Sequence, residues 1–386
     1  MVVAATIGTT QTVAWASSYY LPAMLADRMS GDLNVPRDWF FGAFSAALLV
    51  SAMLGPAVGR YIDRLGGRRM LAASNAVFAV ALLIMASVRG PVGLVAAWSA
   101  MGLGMAMGLY EAAFATVAGL CGGKARRAIT GVTIISGFAS TIGWSGTAFL
   151  SDEIGWRLAC VFWAALHGLA CLPANWFLLP GKIGAAPSSG QDRAPDHRHS
   201  RGALAVLAVT FAAAAFIASA MASHLPRLLV AIGTSSAGAL AVAALVGPAQ
   251  VGSRLLEFIL FRRISALASA QIAVSLHPIA AIALAIFGVP AGLAFSILHG
   301  AGNGLVTIAR GTLPLELFGP AGYGLRTGWL AMFSRLTQAI APFVYGLVLD
   351  LAGPNYALAL STMLSLLCLS GFIGLAHYNR AQINGA

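Results

Sequence analysis

Ionisable side chains are rare in this chain, and two of them interrupt long apolar segments. Glu111 is the acidic residue that the sequence places well inside such a segment, and Arg335 lies near the middle of another. A buried carboxylate can accept and release a proton, while the planar guanidinium fork suits a carboxylate or a phosphate. Because an apolar medium makes either charge costly, both residues are candidates for function, and structural pairing is the alternative for each.

Other polar side chains recur at helical spacing on what would be single helix faces. Gln11 and Trp15 are four residues apart, and a second set is spaced by four along a later segment. Such faces suit a binding pocket, although hydrogen bonds within the packed protein would explain them equally well. The predicted substrate-binding residues are Arg335, Gln11, Trp15, Asn303, His299 and Thr307.

Glu111 has two predicted roles. Either it carries a coupled proton, or it pairs with Arg310, which lies one helical turn beyond Thr307, as part of a cytoplasmic gate. A carboxylate that is satisfied locally near the membrane interface is the structural alternative.

The composition predicts that a lipid bilayer is the medium for these segments. Hydrophobic residues make up 59% of the 386 positions and charged residues only 9%, and the mean hydropathy is +0.83. About 20 apolar residues suffice to span the hydrocarbon core as a helix. The sequence therefore predicts an all-α integral membrane protein with twelve transmembrane helices, at 2–26, 39–59, 70–88, 91–119, 128–151, 157–180, 203–230, 234–253, 264–288, 289–312, 326–349 and 355–377.

The polar stretch at 181–202 predicts a cytoplasmic linker between two six-helix bundles, at 1–180 and 203–386. Most lysines and arginines fall in the loops that would lie on the same side of the membrane as the N-terminus. This distribution predicts that both termini face the cytoplasm. The Ala/Gly-rich, lysine-poor composition is typical of a bacterial inner membrane protein. Gly104 and Gly108 in the fourth segment match Gly300 and Gly304 in the tenth, which suggests a duplicated unit.

The loop after the second segment reads Gly59-Arg60-Tyr61-Ile62-Asp63-Arg64-Leu65-Gly66-Gly67-Arg68-Arg69. It resembles the G-x-x-x-D-R-x-G-R-R signature of the major facilitator superfamily, with Gly67 where a basic residue is usual. The resemblance implies two pseudo-symmetric six-helix bundles. It also implies a conformational switch in which Asp63 meets a helix N-terminus or an arginine and latches the halves, whereas a plain positive-inside loop is the alternative. The predicted switch residues are Gly59, Asp63, Arg64, Gly66, Arg68 and Arg69.

Two departures from the family pattern bear on the direction of transport. Trp98 stands where many members carry an arginine in the fourth helix, and the fifth helix lacks the Gly-Pro pair of many proton antiporters. Both disfavour drug–proton antiport. The segment from Lys124 to Ala128 resembles the monocarboxylate-porter branch.

These observations predict a secondary active transporter that moves a small, carboxylate-like organic solute by alternating access, coupled to protons. A proton-antiport efflux pump for drugs or other neutral or cationic compounds is the alternative, and a non-transporting sensor or scaffold is a remote one. Enzyme activity is not expected, because the spans lack nucleophilic or metal-ligand clusters, and neither a cofactor nor a metal is implied. The net charge of +11 is spread along the spans, which does not suit nucleic acid. The expected partners are the solute, protons and the lipid bilayer, and the protein is expected to be a monomer.

Overall fold

The computed structural model describes residues 2–181, 197–260 and 264–384, and within them the chain forms helices joined by short turns, without a strand. The side chains of residues 197–200, 260 and 379–384 are outside the description. Of the 22 residues of the predicted linker at 181–202, the 15 at 182–196 lie outside the described residues. The α-helices are α1 (Val2–Ala16), α2 (Pro22–Leu33), α3 (Arg37–Leu65), α4 (Gly67–Ser87), α5 (Pro91–Gly108), α6 (Tyr110–Cys121), α7 (Ala125–Ile135), α8 (Ala139–Leu166), α9 (His197–Ala231), α10 (Ser236–Ala244), α11 (Val246–Leu260), α12 (Ala266–Phe287), α13 (Gly292–Phe318), α14 (Tyr323–Leu351) and α15 (Pro354–Asn384).

Nine helical stretches in the described part are long and apolar enough to cross a membrane. One of them, Pro91–Leu178, runs over 88 residues and merges several predicted segments, with π-helical turns at His167–Cys171 and Ala174–Leu178. The predicted all-α membrane fold is confirmed, whereas the number of twelve spans stays a prediction.

The expectation of one continuous first helix over 2–26 is wrong, because α1 ends at Ala16 and α2 begins at Pro22. Proline has no backbone N–H to donate into the preceding turn. In that turn the hydroxyl of Ser18 donates to the backbone carbonyl of Ala14, four residues earlier, and so competes with helix continuation. A second break lies at Leu109, which is extended between α5 and α6.

Prolines inside helices free carbonyls that serine hydroxyls from neighbouring helices then bind. Pro342 in α14 cannot donate to the carbonyl of Gln338, which accepts instead from Ser219 Oγ at 2.9 Å. Likewise, Pro278 in α12 leaves the carbonyl of Val274 to Ser365 Oγ at 2.8 Å. In hydrocarbon no water can replace these lost bonds, so the serines make the prolines tolerable.

The chain forms two compact units, of which the first comprises residues 1–193 and 318–332 and the second 194–317 and 333–386. In the first unit α3, α4 and α5 approach closely at glycines. A Cβ on Gly102 would lie 2.3 Å from the carbonyl oxygen of Ala47, and one on Gly104 would lie 2.8 Å from the Phe78 ring. Small residues of this kind let membrane helices pack tightly without polar anchors. The predicted division at residues 181–202 stays a prediction.

Candidate functional site

Asp63, near the C-terminal end of α3, binds the N-terminus of α14 within the first unit. Its Oδ1 accepts from the backbone N–H of Gly324 and its Oδ2 from that of Leu325, each at 2.8 Å. The first amides of a helix have no partner within the helix, and they carry its partial positive charge. The carboxylate therefore satisfies two such donors with charge-assisted hydrogen bonds.

Four glycines bring α3 and α14 into direct backbone contact beside this carboxylate. A Cβ on Gly59 would lie 1.9 Å from the carbonyl oxygen of Gly324, and a Cβ on Gly328 would lie 2.5 Å from that of Gly55. Each helix thus presents two glycines four residues apart, the small-xxx-small pattern of close helix pairs.

The remaining loop residues hold the turn between α3 and α4. Gly66 ends α3 with φ +83°, a left-handed conformation that favours glycine. Gly67 packs on Thr116, whose Oγ1 would lie 1.7 Å from an added Cβ, so the basic residue usual at this position would not fit. Arg68 stacks over Trp176 at 5.5 Å, whereas Arg64 and Arg69 are exposed.

Gln11 and Glu111 both lie at the break between α5 and α6. Gln11 is buried, and its Nε2 donates at 2.5 Å to the carbonyl of Gly108, the last residue of α5. Glu111 occupies the first turn of α6, where the helix pole favours a negative charge. It also acts electrostatically on Tyr323, the first residue of α14. Gln11 therefore repairs the broken helix, and Glu111 joins the charges near the α14 N-terminus.

Trp15 stands at the centre of an aromatic cluster in the first unit. Its ring centroid lies 4.8 Å from that of Tyr110, 5.3 Å from Tyr19 and 6.2 Å from Tyr20. Trp144 extends the cluster, with its ring 5.6 Å from Tyr20. Flat apolar faces with polar edges can hold an aromatic or cationic compound as readily as they pack together.

His167 is a buried residue that the sequence analysis did not identify. Its Nδ1 lies 2.7 Å from Asn75 Oδ1, its Nε2 lies 2.8 Å from Ser17 Oγ, and Phe78 stacks on its ring. Asn75 donates its amide to the carbonyl of Leu71, so Asn75 Oδ1 is the acceptor and His167 Nδ1 carries the proton. Ser17 belongs to the break after α1, which this network ties to the helices behind it.

In the second unit, Arg335 lies near the middle of α14 and is only 5% exposed. Arg254 and Glu257 on α11 are equally buried, which corrects the expectation that Glu111 is the single acidic residue inside a span. The predicted span ended at residue 253, but α11 continues to Leu260. Arg254 also reaches the predicted binding residue Thr307, whose Oγ1 lies 3.4 Å from the guanidinium.

His299 and Asn303 line one small cavity of about 30 Å³ in the second unit, whereas Thr307 is outside its wall. The other polar walls are His277, Ser365 and Cys368. His277 Nδ1 lies 3.0 Å from His299 Nδ1, so the cavity holds a pair of imidazoles. No local sequence pattern predicts this pairing, because the two residues are on different helices.

Comparisons with known proteins decide the family. A family model described as the Major Facilitator Superfamily matches residues 7–295. The chain belongs to the Major Facilitator Superfamily. The resemblance found in the Asp63 loop is thereby confirmed for the superfamily. Among curated protein sequences, none matches significantly.

Solved structures of the superfamily share this fold at low sequence identity. The human organic anion transporter MFSD10 has a TM-score of 0.72 and 19% identity, covering 96% of this chain and 98% of its own. The E. coli fucose:proton symporter has a TM-score of 0.73 and 14% identity, covering 96% and 97%. The proton:xylose symporter XylE has a TM-score of 0.72 and 13% identity, covering 95% and 93%.

The site residues predicted from the sequence lie at three places in the structure. Asp63, Gly59 and Glu111 lie near the α14 N-terminus in the first unit. Gln11 and Trp15 lie in the same unit, at a helix break and in the aromatic cluster. Arg335, Arg310, His299, Asn303 and Thr307 belong to the second unit. The predicted pairing of Glu111 with Arg310 would join residues of different units and stays a prediction.

Proposed function

We propose that this chain moves a small organic anion of the carboxylate class across the membrane by alternating access, coupled to a proton. The observation that carries the proposal is Arg335, whose guanidinium side chain is only 5% exposed near the middle of an apolar helix. Such a charge is expensive in a bilayer and is retained where it serves a substrate or a structural partner. Its planar fork matches a carboxylate.

Each solved relative supports one part of the proposal, either the anionic substrate or the proton coupling. One of them is an organic anion transporter, and two are proton symporters. Glu111 supports coupling from this chain's own residues, because a carboxylate at the N-terminal end of α6 can exchange a proton while the helix pole stabilises its charged form.

The aromatic cluster around Trp15 favours a second candidate, an efflux pump for flat neutral or cationic compounds. Trp and Tyr faces attract organic cations as well as apolar rings. In that case Arg335 would be a structural residue, which agrees with its having an interaction inside the protein. The two candidates therefore differ in what Arg335 binds.

Thermal shift on purified protein separates them, with benzoate, lactate and succinate as anions, xylose as a neutral solute and tetraphenylphosphonium as a cation. A ligand present at about 100 times its dissociation constant stabilises the folded protein by about 2.7 kcal/mol. We expect stabilisation by a carboxylate, lost in Arg335→Gln and weakened in Arg335→Lys, which keeps the charge without the fork.

Arg227→Gln is the matched control, because it removes an exposed arginine that pairs with Asp350 in the same unit. It should leave carboxylate stabilisation unchanged. Stabilisation by tetraphenylphosphonium alone would refute the anion assignment, and carboxylate binding that survives Arg335→Gln would show that Arg335 is not the anion-binding residue. In proteoliposomes, Glu111→Gln should abolish accumulation driven by a pH gradient, and undiminished accumulation would exclude Glu111 as the coupling group.

We propose that the protein lies in a bacterial inner membrane, with both chain termini in the cytoplasm. Reporter fusions that are active on only one side of the membrane test the position of the C-terminus directly. Activity of a periplasm-specific reporter at that end would reverse the proposed orientation.

A further inference from the structure

Two histidines of the second unit form a hydrogen-bonded pair. His277 on α12 and His299 on α13 are 5% and 4% exposed, and their Nδ1 atoms lie 3.0 Å apart. At this distance one nitrogen must carry a hydrogen and the other must accept it. The neutral pair therefore has one donor imidazole and one acceptor imidazole.

This arrangement has room for one additional proton. In the neutral pair the donor imidazole keeps a free lone pair on its Nε2, and a proton bound there gives an imidazolium that is hydrogen-bonded to a neutral imidazole. A second added proton would place two N–H groups and two positive charges against each other. His277 Nε2 is buried and has no hydrogen-bond partner among the described residues, which suits the proton-accepting position.

The surroundings of the pair supply room for water and an aromatic face, and none of the described residues that line the cavity is a carboxylate. The shared cavity of about 30 Å³ can hold about two water molecules, and Asn303 and Ser365 in its wall can bond them. Phe295 stacks on His299 with ring planes 11° apart and touches the ring of His277, so its face can stabilise a cation.

Charged and titratable groups near the pair lie on α13 and α15. Cys368 on α15 lines the same cavity, and Arg310 on α13 acts on that thiol. The cavity residues of α9 are alanine and isoleucine. The titratable group that acts electrostatically on His277 is His299. A proton on the pair would thus add a positive charge that an anion entering the unit can neutralise.

We propose that His277 and His299 form a binding site for a single proton, and that this proton is the one coupled to anion transport. The coupling part rests on the function proposed above, whereas the proton-binding part does not. The pair complements Glu111, because it places a titratable site in the second unit as well as in the first.

Proton binding is measured on the purified protein in lipid nanodiscs, without any substrate. The protein contains seven histidines, and their ¹⁵N resonances are followed by NMR from about pH 3 to pH 9, because burial disfavours the charged form of an imidazole. We expect two imidazoles to titrate together with an uptake of one proton. The signal of the unprotonated Nε2 should disappear in that single step.

Single variants assign the signals and test the sharing. Either His277→Asn or His299→Asn should remove the joint step and shift the remaining imidazole to an independent titration. His224→Asn is the matched control, because His224 bonds the carbonyl of Pro342 and is outside the cavity wall, so the joint step should persist. His277→Gln and His299→Gln serve if an asparagine variant does not fold. Two separate titrations in the wild type, or none over this range, would overturn the proposal.

The coupling part is tested in proteoliposomes with benzoate, lactate and succinate. His277→Asn should lose about tenfold or more of the accumulation driven by a pH gradient while retaining exchange of the same carboxylate at equal pH. Accumulation that is unchanged in both histidine variants would refute coupling through the pair. If the wild type accumulates none of the three, the proposed function fails, and the NMR titration still decides the proton site.

Discussion

Replacing Asp63 by asparagine should release the first amides of α14. Asp63 accepts two backbone hydrogen bonds there, one from Gly324 and one from Leu325. Asparagine keeps one acceptor oxygen, but its NH₂ group would face the second backbone N–H. The variant therefore loses one hydrogen bond and the negative charge at the helix pole.

The size of the effect follows from these two losses. A hydrogen bond to a charged group contributes about 1.5–3 kcal/mol, and a charge at a helix end contributes about 0.3–2 kcal/mol. Because the two terms overlap at one carboxylate, we expect a loss of about 2–3 kcal/mol. That loss corresponds to an approximately 30- to 150-fold increase in local opening.

Hydrogen–deuterium exchange with mass spectrometry reads this opening at the same amides. The exchange of Gly324 and Leu325 should accelerate by the factor above in Asp63→Asn. Asp350→Asn, at the other end of α14, removes a carboxylate whose ion pair with Arg227 is exposed, and it should leave both amides protected. Equal exchange rates in wild type and Asp63→Asn would refute the reasoning.

Three further predictions concern packing and buried hydrogen bonds. Gly59→Ala places a Cβ 1.9 Å from a backbone oxygen of α14 and should lower stability by about 1–3 kcal/mol in thermal unfolding, whereas Gly42→Ala on the same helix, with nothing within 4 Å, should be neutral. Ser219→Ala should lower the stability of the folded protein by about 0.6–1.7 kcal/mol, but it should have no effect when Pro342 is also replaced by alanine. A double-mutant cycle that shows no coupling between the two positions would contradict this. His167→Phe leaves the buried Asn75 Oδ1 without its donor, while the Ser17 hydroxyl can still donate to the carbonyl of Val13. The variant should therefore lose about 1–3 kcal/mol of stability, and an unchanged melting temperature would mean that the network adds no stability.

The sequence was sufficient for the membrane class, the superfamily and the place of most helices. Long apolar runs are a strong signal because the bilayer demands internally bonded helices. The Asp63 loop was recognisable because its residues are close together in sequence. Hydropathy could not reveal the break after Ala16, since Ser17 and Ser18 are short and tolerated in apolar helices. The eighth predicted segment also stopped before Glu257, because a charged residue lowers the local average of hydropathy.

Long-range contacts were beyond the sequence. His277 and His299 are 22 residues apart, and His167 meets Ser17 across 150 residues, so only helix packing brings them together. The apparent glycine repeat shows the same difficulty. Gly104 packs on the Phe78 ring of α4, whereas its match Gly300 packs on the α11 backbone. Equal spacing in two halves therefore does not guarantee equivalent neighbours.

The serine–proline pairs have an evolutionary consequence. Ser219 serves a carbonyl that is free because Pro342 stands four residues later, and Ser365 has the same relation to Pro278. If the proline is replaced by another residue, the backbone N–H of that residue can bond the carbonyl, and the serine hydroxyl is no longer needed there. Among relatives of this chain, each serine and its proline should therefore be gained and lost together, and that covariation would report a helix–helix contact across more than 80 intervening residues.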